Sequence, residues 1–447
     1  LEKQDQIESH IHPKGITPLF LTEMWERLSY YGMRALLVLY LVKSLGFSDA
    51  DAGAVYAFYT SFVYLTPVLG GYLTDRFFSY QFSIYLGSFL MLCGHISLAF
   101  SDLSFFYLGL VLLALGNGFF KPNMSTIFGR LYIEKPGLRD SGFTIFYMGI
   151  NLGGLIGPII CGSLGERVDW HLGFLSAGVG MGIGMIVFYF GSKRLPSSIW
   201  KKGNDFLLPS SASLSDHQTK PKILLIVLLS FFSIFFWMAF EQMGSSLNLF
   251  ALRNTDRSLF GFEIPASVLQ SINPLFILLF GPLVSIIWTS LAKKNRNPNP
   301  VLKFVLSLVL LGIGFLVMVV AGEIAETGIS VSILFLVFVY FWNTLSELCL
   351  SPVGLSFVSQ MAPVKYASVL MGIWFLSNAF GHYAAGILSG YQNQWGSMTV
   401  FYGFFVLCSW LGAILLYSIY IWRKKSILHL LASGEKNDSL SLDLNRI

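Results

Sequence analysis

Charge is what this 447-residue chain has least of. Asp, Glu, Lys and Arg make up 12% of it, against about 25% in soluble domains, which excludes an ordinary cytosolic enzyme. Disorder is excluded as well, because it needs low hydrophobicity and high net charge. Cysteine is scarce. Cys93, Cys161, Cys349 and Cys408 each lie in an apolar stretch, with no CxxC and no clustered His, so neither a zinc site nor a disulfide framework is read and the four serve as small packing residues. No metal or other cofactor is expected. A GxSxG or HExxH motif is missing and the seven His are scattered, which argues against a hydrolase and against an enzyme generally. No basic stripe or patch is present to hold nucleic acid. The polar start Leu1-Glu2-Lys3-Gln4-Asp5 lacks the apolar core and small-residue cleavage site of a signal peptide. The first membrane helix is therefore expected to target the chain, and a start at Leu points to missing leading residues.

What is present in quantity is apolar: 54% hydrophobic and 16% aromatic. Apolar runs fall at about 16–42, 50–78, 81–100, 105–128, 142–164, 170–192, 222–248, 266–290, 301–321, 330–361, 366–389 and 398–422. At roughly 20 residues per crossing these predict an all-α polytopic membrane protein with twelve transmembrane helices and short loops. Pro67, Pro122, Pro158, Pro274 and Pro352 lie inside runs, where membrane helices tolerate kinks. The longest polar interval, 193–221, holds Lys193-Arg194, Lys201-Lys202-Gly203 and Ser210-Ser211-Ala212-Ser213. It divides the chain into an N-terminal six-helix bundle (1–192), a linker (193–221), a C-terminal six-helix bundle (222–425) and a tail (426–447).

With an even number of crossings both termini share a side. That side carries 22 Lys and Arg; the other carries four, Lys43, Arg167, Arg253 and Arg257. Basic residues stay inside, so both termini, the linker and the tail are expected in the cytoplasm. The last three of the 29, Arg27, Arg34 and Lys121, lie within the predicted helices. Two six-helix halves joined by a long cytoplasmic loop resemble the major facilitator architecture, whose halves are related by an axis along the membrane normal. Gly71-Tyr72-Leu73-Thr74-Asp75-Arg76 resembles part of that superfamily's gating signature, although Ser79-Tyr80-Gln81 stands where a Gly and basic residues usually follow.

The first run places Glu23, Glu26, Arg27, Tyr30, Tyr31 and Arg34 in a segment otherwise suited to lipid. At 100° per residue, Glu23, Arg27, Tyr30 and Arg34 fall within about 60° of one another. Each mid-membrane charge costs about 2.5–3.5 kcal/mol on insertion scales, so this face must look onto partners or a water-filled cavity. Glu23, Glu26 and Arg27 can pair locally and so also fit a role as ion pairs that hold helices together. The other buried charges are Lys121 in the fourth run, Glu241 in the seventh and Glu347 in the tenth. By depth, Arg34 lies 18 residues into its run and Glu241 19 into its own. They can therefore pair across the halves, as can Lys121 with Glu347 nearer mid-depth. Tyr64, Asn151, Gln242, Asn273, Trp374 and Asn378 lie at similar depths; an Asn in a membrane helix is about as often helix–helix glue as a ligand.

These residues resemble a family. Glu23-Met24-Trp25-Glu26-Arg27 with Ser29-Tyr30-Tyr31-Gly32 is similar to the ExxER signature of proton-coupled oligopeptide transporters, the POT/PTR family. The segment 143–155, FTIFYMGINLGGL, is similar to its fifth-helix signature. Gly116-Asn117-Gly118-Phe119-Phe120-Lys121-Pro122-Asn123, Glu241-Gln242 with Gly244-Ser245-Ser246, and Glu347-Leu348-Cys349-Leu350-Ser351-Pro352 resemble its fourth, seventh and tenth helices. Five ordered motifs spread the resemblance over essentially the whole chain. There are departures: the interval 193–221 has no room for the two extra helices of many bacterial members, and Ala57 stands where animal members carry a His.

The resemblance implies a proton-coupled symporter importing di- and tripeptides by alternating access, with short peptides, protons and the lipid bilayer as partners. Arg34 and Lys121 would take the peptide carboxylate; Glu347, with Asn151 and Asn273, would take the ammonium. Tyr30, Tyr31, Tyr64, Trp374 and Asn378 would complete substrate binding, and Glu23, Glu26, Arg27 and Glu241 would couple protons. A family relative carrying another small anion or zwitterion, and a membrane sensor that binds peptides without moving them, are the alternatives. Compact loops favour a bacterial inner membrane.

Overall fold

The computed structural model describes residues 12–133, 135, 138–200, 216–363 and 366–431. Residues 1–5 of the polar start, most of the predicted linker (201–215, including Lys201-Lys202-Gly203 and the serines at 210–213), Lys365 and most of the predicted tail (432–447) lie outside these. Long helices occupy the twelve predicted runs: α1 Ile16–Lys43, α2 Asp49–Phe77, α3 Tyr80–Leu98, α4 Leu103–Arg130, α5 Arg139–Gly157, α6 Trp170–Ser192, α7 Asp216–Phe240, α8 Ile272–Lys293, α9 Pro300–Glu326, α10 Ile333–Met361, α11 Ala367–Gly390 and α12 Met398–Trp422. Side chains begin many of them. Ser48, Ser79, Asp102, Asp169, Asn299, Ser332 and Ser397 each accept from a backbone N–H of the first turn, satisfying donors that the helix itself leaves open.

Two helices are interrupted. α5 passes into a π-helical stretch, Pro158–Gly162, and then a short α-helix, Ser163–Arg167; proline removes an N–H and crowds the carbonyl four residues back. The seventh run stops being α-helical at Glu241, makes a 3-10 turn over Glu241–Gly244 and resumes as the short helix Ser246–Asn254. It therefore reaches beyond the expected end at 248. Any side chain at Gly244 would strike the Tyr56 hydroxyl on α2.

By packing, the chain forms two compact units: Leu1–Lys202 with Met243–Leu278, and Gly203–Gln242 with Leu279–Ile447. The stretch Met243–Leu278 is held within the first unit by polar contacts. Asn248 donates to Ala35 O at 2.9 Å, Ser271 donates to Leu155 O at 2.8 Å, and both nitrogens of the Arg253 fork reach Asp49 at 2.7 Å. Glu166 accepts from the backbone N–H of Ala266 at 3.1 Å and of Ser267 at 2.8 Å, and Arg167 donates to Glu263 O at 2.5 Å.

In the first unit α1 runs through the interior against α5 and α6. Gly149, Gly153 and Gly157 recur every fourth residue, so they lie on one face of α5. A Cβ at Gly149 would come to 2.8 Å from the Phe20 ring and one at Gly157 to 2.5 Å from Leu28 O, while at Gly153 it would strike Met24 O. The glycines let α5 lie directly on the α1 backbone, which fixes the segment carrying Glu23, Glu26 and Arg27. In the second unit α9 packs between α10 and α12. Ser307 and Ser346 join α9 to α10 at 3.0 Å, and Gly312 makes room for Trp410 of α12, whose Nε1 donates to Val309 O at 3.2 Å.

Both units hold charge inside and carry apolar side chains outside: Leu69, Phe190, Ile286 and Ile414 are each about 60% exposed, while Glu23, Glu26, Arg27 and Glu241 are buried. That distribution suits hydrocarbon surroundings. Among the described residues ten spans are long and apolar enough to cross a membrane. α1 is not among them, because four charged residues interrupt it, and neither is α11, where Ser377, Asn378 and His382 do. Replacing Gly153 by Leu forces α5 off α1 and is expected to destabilise the protein by roughly 1–3 kcal/mol. Thermal unfolding in detergent checks this; an unchanged melting temperature would contradict the close α1–α5 packing.

Candidate functional site

In the first unit the α1 charges are sorted into a tight pair and a loose one. Arg27 donates through Nε and Nη2 to the two carboxylate oxygens of Glu26, the second bond measuring 2.7 Å. This bidentate arrangement matches the guanidinium fork. Its Nη2 also donates to Asn117 Oδ1 on α4 at 3.1 Å, and Asn117 Nδ2 donates to Val63 O on α2 at 2.9 Å. One guanidinium thus ties three helices together. Glu23, one turn before Arg27, lies 3.5 Å from Arg27 Nε through Oε1, while its buried Oε2 has no hydrogen-bond partner. A buried carboxylate oxygen left unsatisfied is costly. Of the two carboxylates Glu26 is the clamp on Arg27 and Glu23 the one loosely held.

Aromatic faces shield the cations of the same unit. The Arg27 guanidinium lies 5.1 Å from the Tyr30 ring, Arg34 lies 5.5 Å from the Tyr31 ring, and Lys121 Nζ lies 5.3 Å from the Tyr64 ring, distances at which a ring quadrupole attracts a cation. Lys121, one turn after Asn117 on α4, is half-buried, and its charge acts on both Glu23 and Glu26. Asn151 is buried and donates to Tyr147 O at 2.9 Å within its own helix. Asn273 is half-buried at the start of α8, and its neighbour Pro274 lies against Gly154 of α5, which also abuts Tyr31. The first unit therefore contains Glu23, Glu26, Arg27, Tyr30, Tyr31, Arg34, Tyr64, Lys121, Asn151 and Asn273.

The second unit contains Glu241, Glu347, Trp374 and Asn378. Trp374 is buried with its ring 6.0 Å from Phe304 and fills the space that Gly354 leaves on α10. One helical turn on, the Oδ1 of Asn378 is buried without a donor. Ser377 links α11 to Ser233 of α7 at 2.8 Å. Glu347 is half-buried on α10. Glu241 is fully buried, and the Nε2 of His382, on α11, lies 3.2 Å from its Oε1.

Sequence reasoning missed two of these contacts. Asn117 lay inside a quoted motif, and its role in holding Arg27 depends on the α1–α4 approach. His382 was counted among scattered histidines, although an imidazole in an apolar run one turn after Asn378 was a signal in itself. Among the described residues there is no group of three or more His, Cys, Asp or Glu that could hold a metal ion.

Ten membrane-length helices among the described residues, with buried charges of both signs, fit a multi-span membrane transporter. Comparison makes this specific. The model of the POT family matches residues 82–206 and 211–402. The chain is 36% identical over 424 residues to an uncharacterized transporter, YclF, of Bacillus subtilis, covering 82% of this chain and 86% of that one. It is 34% identical to the peptide transporter YePEPT of Yersinia enterocolitica, over 85% and 88% of the two chains, and 32% identical to a di-/tripeptide transporter of Lactococcus lactis, over 82% and 87%. Its fold is similar to that in a crystal structure of a peptide transporter POT in complex with sulfate, with a TM-score of 0.82 and 31% identity over 91% and 94% of the chains. The protein belongs to the POT family.

Glu26→Ala leaves Arg27 buried without its bidentate partner, a loss of about 3–5 kcal/mol, whereas Glu23→Gln is expected to fold normally. Thermal unfolding of the two purified variants separates the roles; equal destabilisation would refute the division into a clamp and a loosely held carboxylate.

Proposed function

We propose that this chain is a proton-coupled symporter that imports di- and tripeptides by alternating access. The observation that carries the reading is the set of charges of both signs held inside apolar spans, in a chain of a family whose named relatives transport peptides. A peptide is a zwitterion and needs a cation for its carboxylate and an anion for its ammonium. Arg34 and Lys121 take the carboxylate; Glu347, with Asn151 and Asn273, takes the ammonium. Tyr30, Tyr31, Tyr64, Trp374 and Asn378 line the space for side chains. Because recognition rests on the two ends, the side chains between them are loosely specified.

Coupling follows from competition for a counter-charge. A buried carboxylate whose counter-charge is captured by a peptide carboxylate takes a proton, and Glu241 is the first candidate. Glu23, whose Oε2 has no partner, is the second carboxylate suited to this, with Glu26 and Arg27 setting its surroundings. The two six-helix halves, 1–192 and 222–425, act as the rocking bodies, with 193–221 as the linker and 426–447 as the tail. Both termini face the cytoplasm of a bacterium whose inner membrane holds the protein. A second reading, a carrier of another small zwitterion, is favoured by the likeness to a POT family transporter crystallised with 5-aminolevulinic acid, at a TM-score of 0.81 and 28% identity. Competition between that compound and a dipeptide separates the two.

In sealed vesicles an inward proton gradient should drive dipeptide accumulation without sodium, and a protonophore should abolish it. Sodium-dependent uptake indifferent to the protonophore, or peptide binding with no uptake, would overturn the proposal. A free ammonium on a desolvated carboxylate contributes about 1.5–3 kcal/mol, so an N-acetyl dipeptide should compete about 10- to 150-fold more weakly. Glu347→Gln should lose most of that discrimination. A wild type that treats both peptides alike would remove Glu347 from ammonium binding.

A further inference from the structure

The pair formed by Glu241 and His382 is not explained by substrate binding. His382 is fully buried on α11, and its Nδ1 lies 2.8 Å from Asn378 O, one turn back. A carbonyl oxygen only accepts, so Nδ1 carries a hydrogen and donates it. In a neutral imidazole the other nitrogen, Nε2, then holds a lone pair, and it lies 3.2 Å from Glu241 Oε1 without the alignment of a hydrogen bond. A lone pair facing a carboxylate in a site closed to water is repulsive. A proton between the two atoms removes the repulsion, whether it sits on Nε2 beside a carboxylate or on Glu241 beside a neutral ring.

The surroundings hold this geometry. The indole of Trp237, one turn before Glu241, lies against the imidazole with ring centres 5.4 Å apart. Gln242 donates to Ala385 O at 3.1 Å, and Ser233 meets Ser377 at 2.8 Å, so α7 and α11 are joined on both sides of the pair. From α7 and its 3-10 turn the ionisable group facing the ring is Glu241. α10, also packed on α11, carries Glu347, Tyr340 and Cys349, and α11 itself carries Tyr383 and Tyr366 precedes it.

We propose that His382 is a proton-coupling residue: it and Glu241 hold one proton in common, and the symported proton is stored on the pair. The inference rests on the proton-coupled reading above and assigns its proton to a second atom. When substrate binds, the proton moves from Nε2 to Oε1. When the substrate leaves, it is released from the pair and Nδ1 keeps its own hydrogen throughout.

The test uses the full chain in proteoliposomes, with a dipeptide as probe. His382→Gln keeps a hydrogen-bonding side chain that does not titrate. Proton-driven accumulation should fall by at least about tenfold, peptide counterflow, which needs no net proton movement, should fall far less, and the pH profile of driven uptake should shift by about one unit. Combining it with Glu241→Gln should add little to either change alone. Driven uptake and a pH profile equal to wild type would overturn the proposal, as would equal losses in driven uptake and counterflow by a folded variant. If the wild type itself accumulates no peptide on a proton gradient, the symport reading fails and this one with it; if it does and His382→Gln matches it, this inference alone fails. Should His382→Gln not fold, nitrogen-15 spectra of histidine-labelled wild-type protein take its place. The ring whose signals move in Glu241→Gln should keep Nδ1 protonated and change at Nε2 on adding dipeptide. An Nε2 signal indifferent to dipeptide would overturn the proposal.

Discussion

The structure depends on how one guanidinium is kept inside the membrane. Arg27 is buried in a helix otherwise suited to lipid, and leaving it uncompensated would cost more than any single helix contact returns. Glu26 neutralises it through both oxygens, Asn117 takes a further hydrogen, and Asn117 in turn holds Val63 O. The charge that threatens the fold is thereby the tie that joins α1, α4 and α2. Because the tie is directional, it also sets the rotation of α1, and that rotation decides where Glu23, Tyr30, Tyr31 and Arg34 sit.

The tie works only at close range, and glycine supplies the range. With a side chain at Gly153 or Gly157, α5 could not reach the α1 backbone. Small residues at interfaces are the membrane solution to packing where apolar side chains gain nothing by leaving lipid. In this chain they carry a second consequence. A helix seated directly on its neighbour's backbone cannot rotate to relieve an unsatisfied group, so Glu23 keeps a bare Oε2 instead of turning to find a donor. The same rigidity suits the second unit, where Gln242 and Ser377 hold α7 and α11 in one register around Glu241 and His382.

Much of this was legible in order. The apolar runs marked twelve helices, and 170–192 and 398–422 match α6 and α12 to the residue. The charges on the first run announced a polar face, and five motifs pointed to the family. Less legible were the places where a helix stops being regular. The seventh run reads as one apolar stretch, but the turn at Glu241–Gly244 breaks it, and the part beyond packs with the first unit. Hydropathy does not register that break, because Gly244 and the serines after it are neither polar enough to end a run nor apolar enough to extend one.

Periodicity and composition are local, so the sequence alone determined which segments are apolar helices, which charged residues lie within them and which of those share a helix face. It left Glu23, Glu26 and Arg27 as three charges able to pair in several ways, and His382 as one histidine among seven. Tertiary structure decided that Glu26 takes Arg27 through both oxygens while Glu23 does not, and that an imidazole on α11 meets a carboxylate at the end of α7. The physical reason is range. A hydrogen bond is selective within tenths of an ångström and a few tens of degrees, and only the packed distance and rotation of two helices set that geometry.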